Sequence, residues 1–125
     1  MKKMENDSVE VTLRDDGIVH VRFMNNAVVD IKLQEKLHVM YESLCGKKKH
    51  PFLFSAVKNV AVTKEARKNA QKLEAVSPIS KTAILAQNTL QRMIAQFYYR
   101  FNRPQLPFRI FKKEEEAVKW LLSSG

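Results

Sequence analysis

The sequence holds a single cysteine, Cys45, with three glycines and one tryptophan among 125 residues. One thiol excludes an internal disulfide framework and any site built from a cysteine cluster. Three glycines cannot build a Gly-x-Gly-x-x-Gly or Walker loop, so a glycine-rich phosphate cradle is excluded as well. No apolar run approaches the roughly 20 residues that span a bilayer. The charged start, Met1-Lys-Lys-Met-Glu-Asn-Asp7, is not followed by the apolar stretch of a secretion signal. Acidic residues are scarce through the middle of the chain. Between Ser43 and Lys113 there are 15 Lys and Arg, but only Glu65 and Glu74 carry negative charge.

At 45% apolar the sequence is too hydrophobic to stay disordered, and its length suits one core. We expect a soluble, cytoplasmic, single-domain protein over residues 9–122, with short tails at 1–8 and 123–125. The net charge is +9. A basic half can attract nucleic acid, anionic lipid or an acidic protein face, but such charge usually belongs to a solvated surface.

Val9-Glu-Val-Thr-Leu13 alternates apolar and polar, and Ile18 to Phe23 is a second β-rich run. Asp16-Gly17 between them is a hairpin signal. Asp30 is placed to cap a helix running to about Cys45 and ending at Gly46, with Leu33, Leu37, Met40, Tyr41 and Leu44 on one stripe. Pro51 to Val57 is apolar without helical period and reads as a buried strand. Thr63 opens a second helix with Ala66, Ala70 and Leu73 inward, broken at Ser77-Pro78. Thr82 to Ala86 reads as another buried strand.

Asn88 and Gln91 have the spacing of a capping box before a helix carrying Leu90, Met93, Ile94, Phe97 and Phe101. Phe108 to Phe111 is a last strand. Glu114, Glu115 and Glu116 suit the first turn of a final helix, with Ala117, Trp120 and Leu121 inward. The order ββαβαβαβα predicts an α/β fold. Its mixed sheet has about five strands, and right-handed crossovers put the helices mainly on one face. Trp120, Phe97, Leu37, Leu85 and Phe54 are expected in the core.

This layout resembles the STAS superfamily, the anti-sigma-factor-antagonist fold. More narrowly it resembles the small stand-alone STAS/SEC14-like proteins common in Bacteroidetes. The likeness lies in Leu13-Arg-Asp-Asp-Gly-Ile-Val19, Val57-Lys-Asn-Val60 and Thr63-Lys-Glu-Ala-Arg67. It continues in Gln91-Arg-Met-Ile94, Phe97-Tyr98, Phe101-Asn-Arg-Pro104 and Phe111-Lys-Lys-Glu-Glu-Glu-Ala-Val-Lys-Trp-Leu121. The resemblance implies a regulatory or binding module and no enzyme. Phosphorylated STAS regulators carry a Ser in an Asp-Ser-Ser-Gly-like turn, which this chain lacks. Thr63 holds a similar helix-opening place, but nothing around it matches, so no phosphosite is carried over and Thr63 stands only as a candidate modification site. A plain N-cap is the weightier reading of it.

His20, His38 and His50 lack metal-ligand spacing, and no carboxylate pair stands with a nucleophile. No catalytic residue, metal or cofactor is assigned. The remaining feature is a basic face. Lys64, Arg67, Lys68 and Lys72 form a helical stripe, joined by Arg100 and Arg103 beside Tyr98 and Tyr99.

The leading expectation is a non-enzymatic regulatory or protein-interaction module with an unidentified protein partner or a second copy of itself. The alternatives are a binder of an anionic or amphipathic small molecule, as in SEC14-like carriers, and nonspecific binding of nucleic acid or anionic lipid. Against the small-molecule alternative stands the size of cavity it needs, which takes much of a core this small.

Overall fold

A computed structural model of the chain describes residues 2–89, 91–93, 95–96 and 105–123. Strands β1 (Lys2–Glu5), β2 (Val9–Leu13), β3 (Val19–Phe23), β5 (His50–Ala56), β7 (Ile79–Leu85) and β8 (Phe108–Phe111) form one sheet in the order β1-β2-β3-β5-β7-β8. The hairpin β2–β3 pairs antiparallel as expected, with Val11 opposite Val21. From β3 onward the pairing is parallel. The sheet therefore has the expected mixed character, with six strands instead of about five.

The extra strand is β1. Residues 2–5, expected as part of a tail, pair antiparallel with β2, placing Met4 opposite Val11. Lysines and a glutamate on this edge hide the strand in the sequence, and charge on an edge also discourages pairing with another chain. A separate two-stranded parallel pair joins β4 (Ala27–Val29) to β6 (Val60–Val62).

The helix boundaries follow their capping residues. In α1 (Ile31–Cys45) the Asp30 carboxylate accepts from the Leu33 amide at 2.8 Å. Gly46, at φ 61°, ends the helix in a conformation that glycine adopts freely. In α2 (Lys64–Val76) the Thr63 hydroxyl accepts from the Ala66 amide at 3.1 Å. Residues 89, 91–93 and 95–96 are helical, and α3 (Glu114–Leu122) follows β8.

The sheet separates two cores. Alternation on β5 sends Phe52 to one face and its neighbour Leu53 to the other. Phe52, Val9, Val11, Val19 and Val21 pack with Leu33, Leu37, Tyr41 and Leu44 of α1 and with Ala66 of α2. On the opposite face Leu53, Ala83, Leu85 and Phe111 pack with Ala117 and Leu121 of α3. Helices α1 and α2 thus share the expected face, while α3 covers part of the other. Its stripe of Ala117 and Leu121 needs an apolar surface, and the alternating residues of β5, β7 and β8 supply one.

Leu37 and Leu85 are buried, as the sequence suggests. Trp120 and Phe54 are only half-buried. The Trp120 ring lies at the rim, its centre 5.7 Å from that of Phe111. Phe97 is outside the described residues.

Candidate functional site

Helix α2 is amphipathic, yet it buries only Ala66. Ala70 and Leu73, one and two turns further along the same stripe, are half-buried. The sheet below has the same character, with Phe23, Phe54, Ile84 and Phe108 all half-buried. Two apolar faces that would ordinarily close on each other stand apart.

The first half of α2 is fixed. The Thr63 amide donates to the Val29 carbonyl at 3.0 Å. Gln34 of α1 donates through Nε2 to the Ala66 carbonyl at 2.9 Å and accepts from Asn69 Nδ2 at 3.0 Å. At its far end, Glu74 Oε1 accepts from the amides of Gln105 and Leu106 at 2.7 and 2.8 Å. Tied at both ends, the helix bridges a space.

That space is a groove of about 510 Å³. Its floor includes Phe54, Ile84 and Phe108, its roof Ala66, Ala70 and Leu73, and one wall Val60 and Val62. Leu37, His38 and Tyr41 contribute from α1. The volume falls within the roughly 300–1,000 Å³ typical of small-molecule sites, which are likewise mostly apolar with few polar groups. Of the polar lining, Gln34, His38, Glu74, Ser77 and Thr82 line the groove elsewhere, while Asn26, Lys58, Asn59, Asn88 and Gln91 stand near the C-terminal ends of β5 and β7. There Gln91 Nε2 donates to the Lys58 carbonyl at 2.8 Å, and the Gln91 amide donates to Asn88 Oδ1 at 2.8 Å. The capping-box spacing is thus realised at Asn88, and it ties the helical stretch to the turn after β5.

The sequence-derived residues lie elsewhere. Lys64, Lys68 and Lys72 are exposed on α2, and Arg67 is half-buried beside them. They do not line the groove. Arg100 and Arg103, with Tyr98 and Tyr99, are outside the described residues. Thr63 is an N-cap whose Oγ1 is engaged by a backbone amide. Ser55, read as buried in an apolar strand, is half-buried, and its Oγ is 2.7 Å from His20 Nε2. Burial pushes the His20 imidazole below its usual range, with nearby Glu114 pulling the other way. A neutral imidazole beside a hydroxyl satisfies both groups within the sheet. His50 Nδ1 contacts the Gly17 carbonyl at 2.9 Å, holding the hairpin turn against β5.

The groove left little trace in the sequence because it is a gap between two elements that both read as core. Its signal, in retrospect, is α2 itself. The stripe Ala66, Ala70, Leu73 is too small to fill the distance to a phenylalanine-rich sheet.

The architecture is a SpoIIAA-like, STAS-like α/β fold. A crystal structure of an uncharacterised DUF3478-family protein from Shewanella loihica PV-4, described as having that fold, matches with a TM-score of 0.61. The match is 19% identical in sequence and covers 94% of this chain and 98% of that one. A crystal structure of a protein with unknown function from Arthrobacter sp. FB24 also matches, at 26% identity over 91% of this chain and 99% of that one, with a TM-score of 0.34. No curated protein matches. The chain belongs to the family described as a domain of unknown function, DUF7793, which spans residues 11–124. Among the described residues no helix is long and apolar enough to cross a membrane.

Proposed function

We propose that this chain is a non-enzymatic STAS-like binding module that holds an amphipathic small molecule between α2 and the sheet, in the manner of SEC14-like carriers. One observation carries the reading, the 510 Å³ apolar groove beneath a helix tied at both ends. An occupant would cover the half-buried faces of Phe54, Ile84, Ala70 and Leu73. Covering apolar surface is favourable by roughly 25 cal/mol per Å². Any regulatory role then works through occupancy, because a ligand binding one arrangement of α2 shifts the population toward it.

The geometry supports the reading against the objection from size. The cavity is made by holding α2 off the sheet, and Val9, Val11, Val19, Val21 and Phe52 stay fully buried on the same face of the sheet. The test is titration with the uncharged fluorescent amphipath N-phenylnaphthylamine. The wild type should give saturable binding at one site per chain. Ala70→Phe and Val60→Phe, which fill the groove from two sides, should each weaken it at least tenfold while the far-ultraviolet dichroism is unchanged. Absent or unsaturable binding by the wild type, or equal binding by both folded variants, refutes the reading.

A further inference from the structure

The groove is electrically lopsided. Lys58 is the lysine or arginine among its described lining residues, and Glu74 is the acid. They stand at opposite ends. Lys58 follows β5, at the C-terminal ends of the parallel strands, where open α/β sheets place their ligands. Glu74 lies near the C-terminal end of α2, with one carboxylate oxygen taken up by the Gln105 and Leu106 amides ahead of β8.

The Lys58 backbone is fixed by Gln91, while its side chain is exposed at the mouth. No ion pair involves its ammonium among the described residues, and the lining groups around it, Asn26, Asn59 and Asn88, are neutral hydrogen-bonding side chains. Past this rim the lining includes Phe54, Ile84 and Leu73, with His38, Ser77 and Thr82 as neighbouring polar groups.

We propose that the groove selects an amphipath with an anionic head group, that Lys58 binds that head, and that the tail runs under α2 toward Glu74. This rests on the small-molecule reading above and adds the head-group class and the orientation. Electrostatics sets both. An anion at the Lys58 end gains an opposite charge and amide donors, whereas the reverse orientation brings it to a carboxylate. The exposed lysines of α2 lie outside the groove lining and do not compete for the same head.

The experiment is displacement of N-phenylnaphthylamine by laurate, lauryl phosphate and lauryl alcohol, three ligands with one tail. In the wild type at low salt, at least one anion should bind about fivefold tighter than the alcohol, the scale of a partly exposed ion pair. The stronger anion identifies carboxylate or phosphate as the head. Lys58→Gln should erase the difference without changing affinity for the alcohol. Equal displacement by all three in the wild type overturns the head-group proposal and leaves the groove reading standing. A parallel loss of alcohol and anion binding in Lys58→Gln overturns it too, because Lys58 would then act through packing. Displacement by none of the three, with the probe bound, rejects a lauryl-chain amphipath and the head-group proposal with it. An unbound probe rejects the groove reading itself.

Discussion

The ammonium of Lys81 donates to the carbonyl oxygen of Trp120 at 2.7 Å, across 39 positions of sequence. It also reaches the Ser123 carbonyl at 3.0 Å and sits 4.7 Å from the centre of the Trp120 ring. Lys81 is 8% exposed, so its charge is held by these oxygens and not by water. The C-terminal carbonyls of α3 carry the negative end of the helix dipole, and the lysine shares the Trp120 carbonyl with the Ser123 amide and hydroxyl. Removing the ammonium while keeping the stem isolates that role. Lys81→Met should cost about 2 kcal/mol, in the range of a charged hydrogen bond, and amide exchange over Glu114–Leu122 should accelerate. Unchanged exchange in α3 would show that Lys81 does not hold the helix.

His20 gives a pH dependence with a definite sign. In the unfolded chain an imidazole titrates near about 6.5. In the folded chain desolvation lowers that value, opposed by Glu114 and Glu10 and assisted by Arg14 and Arg22. Between the two values the unfolded state binds more protons, so stability falls as pH drops below about 6.5. Urea midpoints measured at about pH 7.5 and 5.5 should therefore differ more for the wild type than for His20→Gln. Identical differences would place the pH response on other groups.

Thr63 is predicted to act as a cap. Thr63→Ala should lose about 1 kcal/mol in urea denaturation, the usual cost of a missing N-cap, and Thr63→Ser should recover most of it. A neutral Thr63→Ala would remove the cap as the reason for a threonine here and reopen the modification reading.

Much of the fold was legible because local chemistry and tertiary structure agree. Asp30 and Thr63 cap the helices they precede, Gly46 ends α1, and the alternation around Asp16-Gly17 makes the hairpin. What escaped depended on distance. Lys81 lies just ahead of the strand read from Thr82, and its partners Trp120 and Ser123 are 39 and 42 residues away in sequence. Strands β4 and β6 have three residues each, too few for a pattern to emerge. Phe54, Ala70 and Leu73 have core spacing, and spacing says which way a side chain points without saying whether anything meets it. The basic stripe on α2 was conspicuous in sequence and forms no wall of the groove. Many of the residues that do, Val60, Leu73 and Ile84 among them, carry ordinary apolar side chains.

Chemical-shift mapping of laurate onto the isotope-labelled full chain tests the central claim most directly, because it separates the groove from the charged face in one spectrum. The account predicts saturable shifts at Ala56, Lys58, Val60, Ala70, Leu73 and Ile84, with the amides of the β2–β3 turn unmoved. Shifts confined to Lys64, Lys68 and Lys72, or no saturable shifts at all, would contradict it.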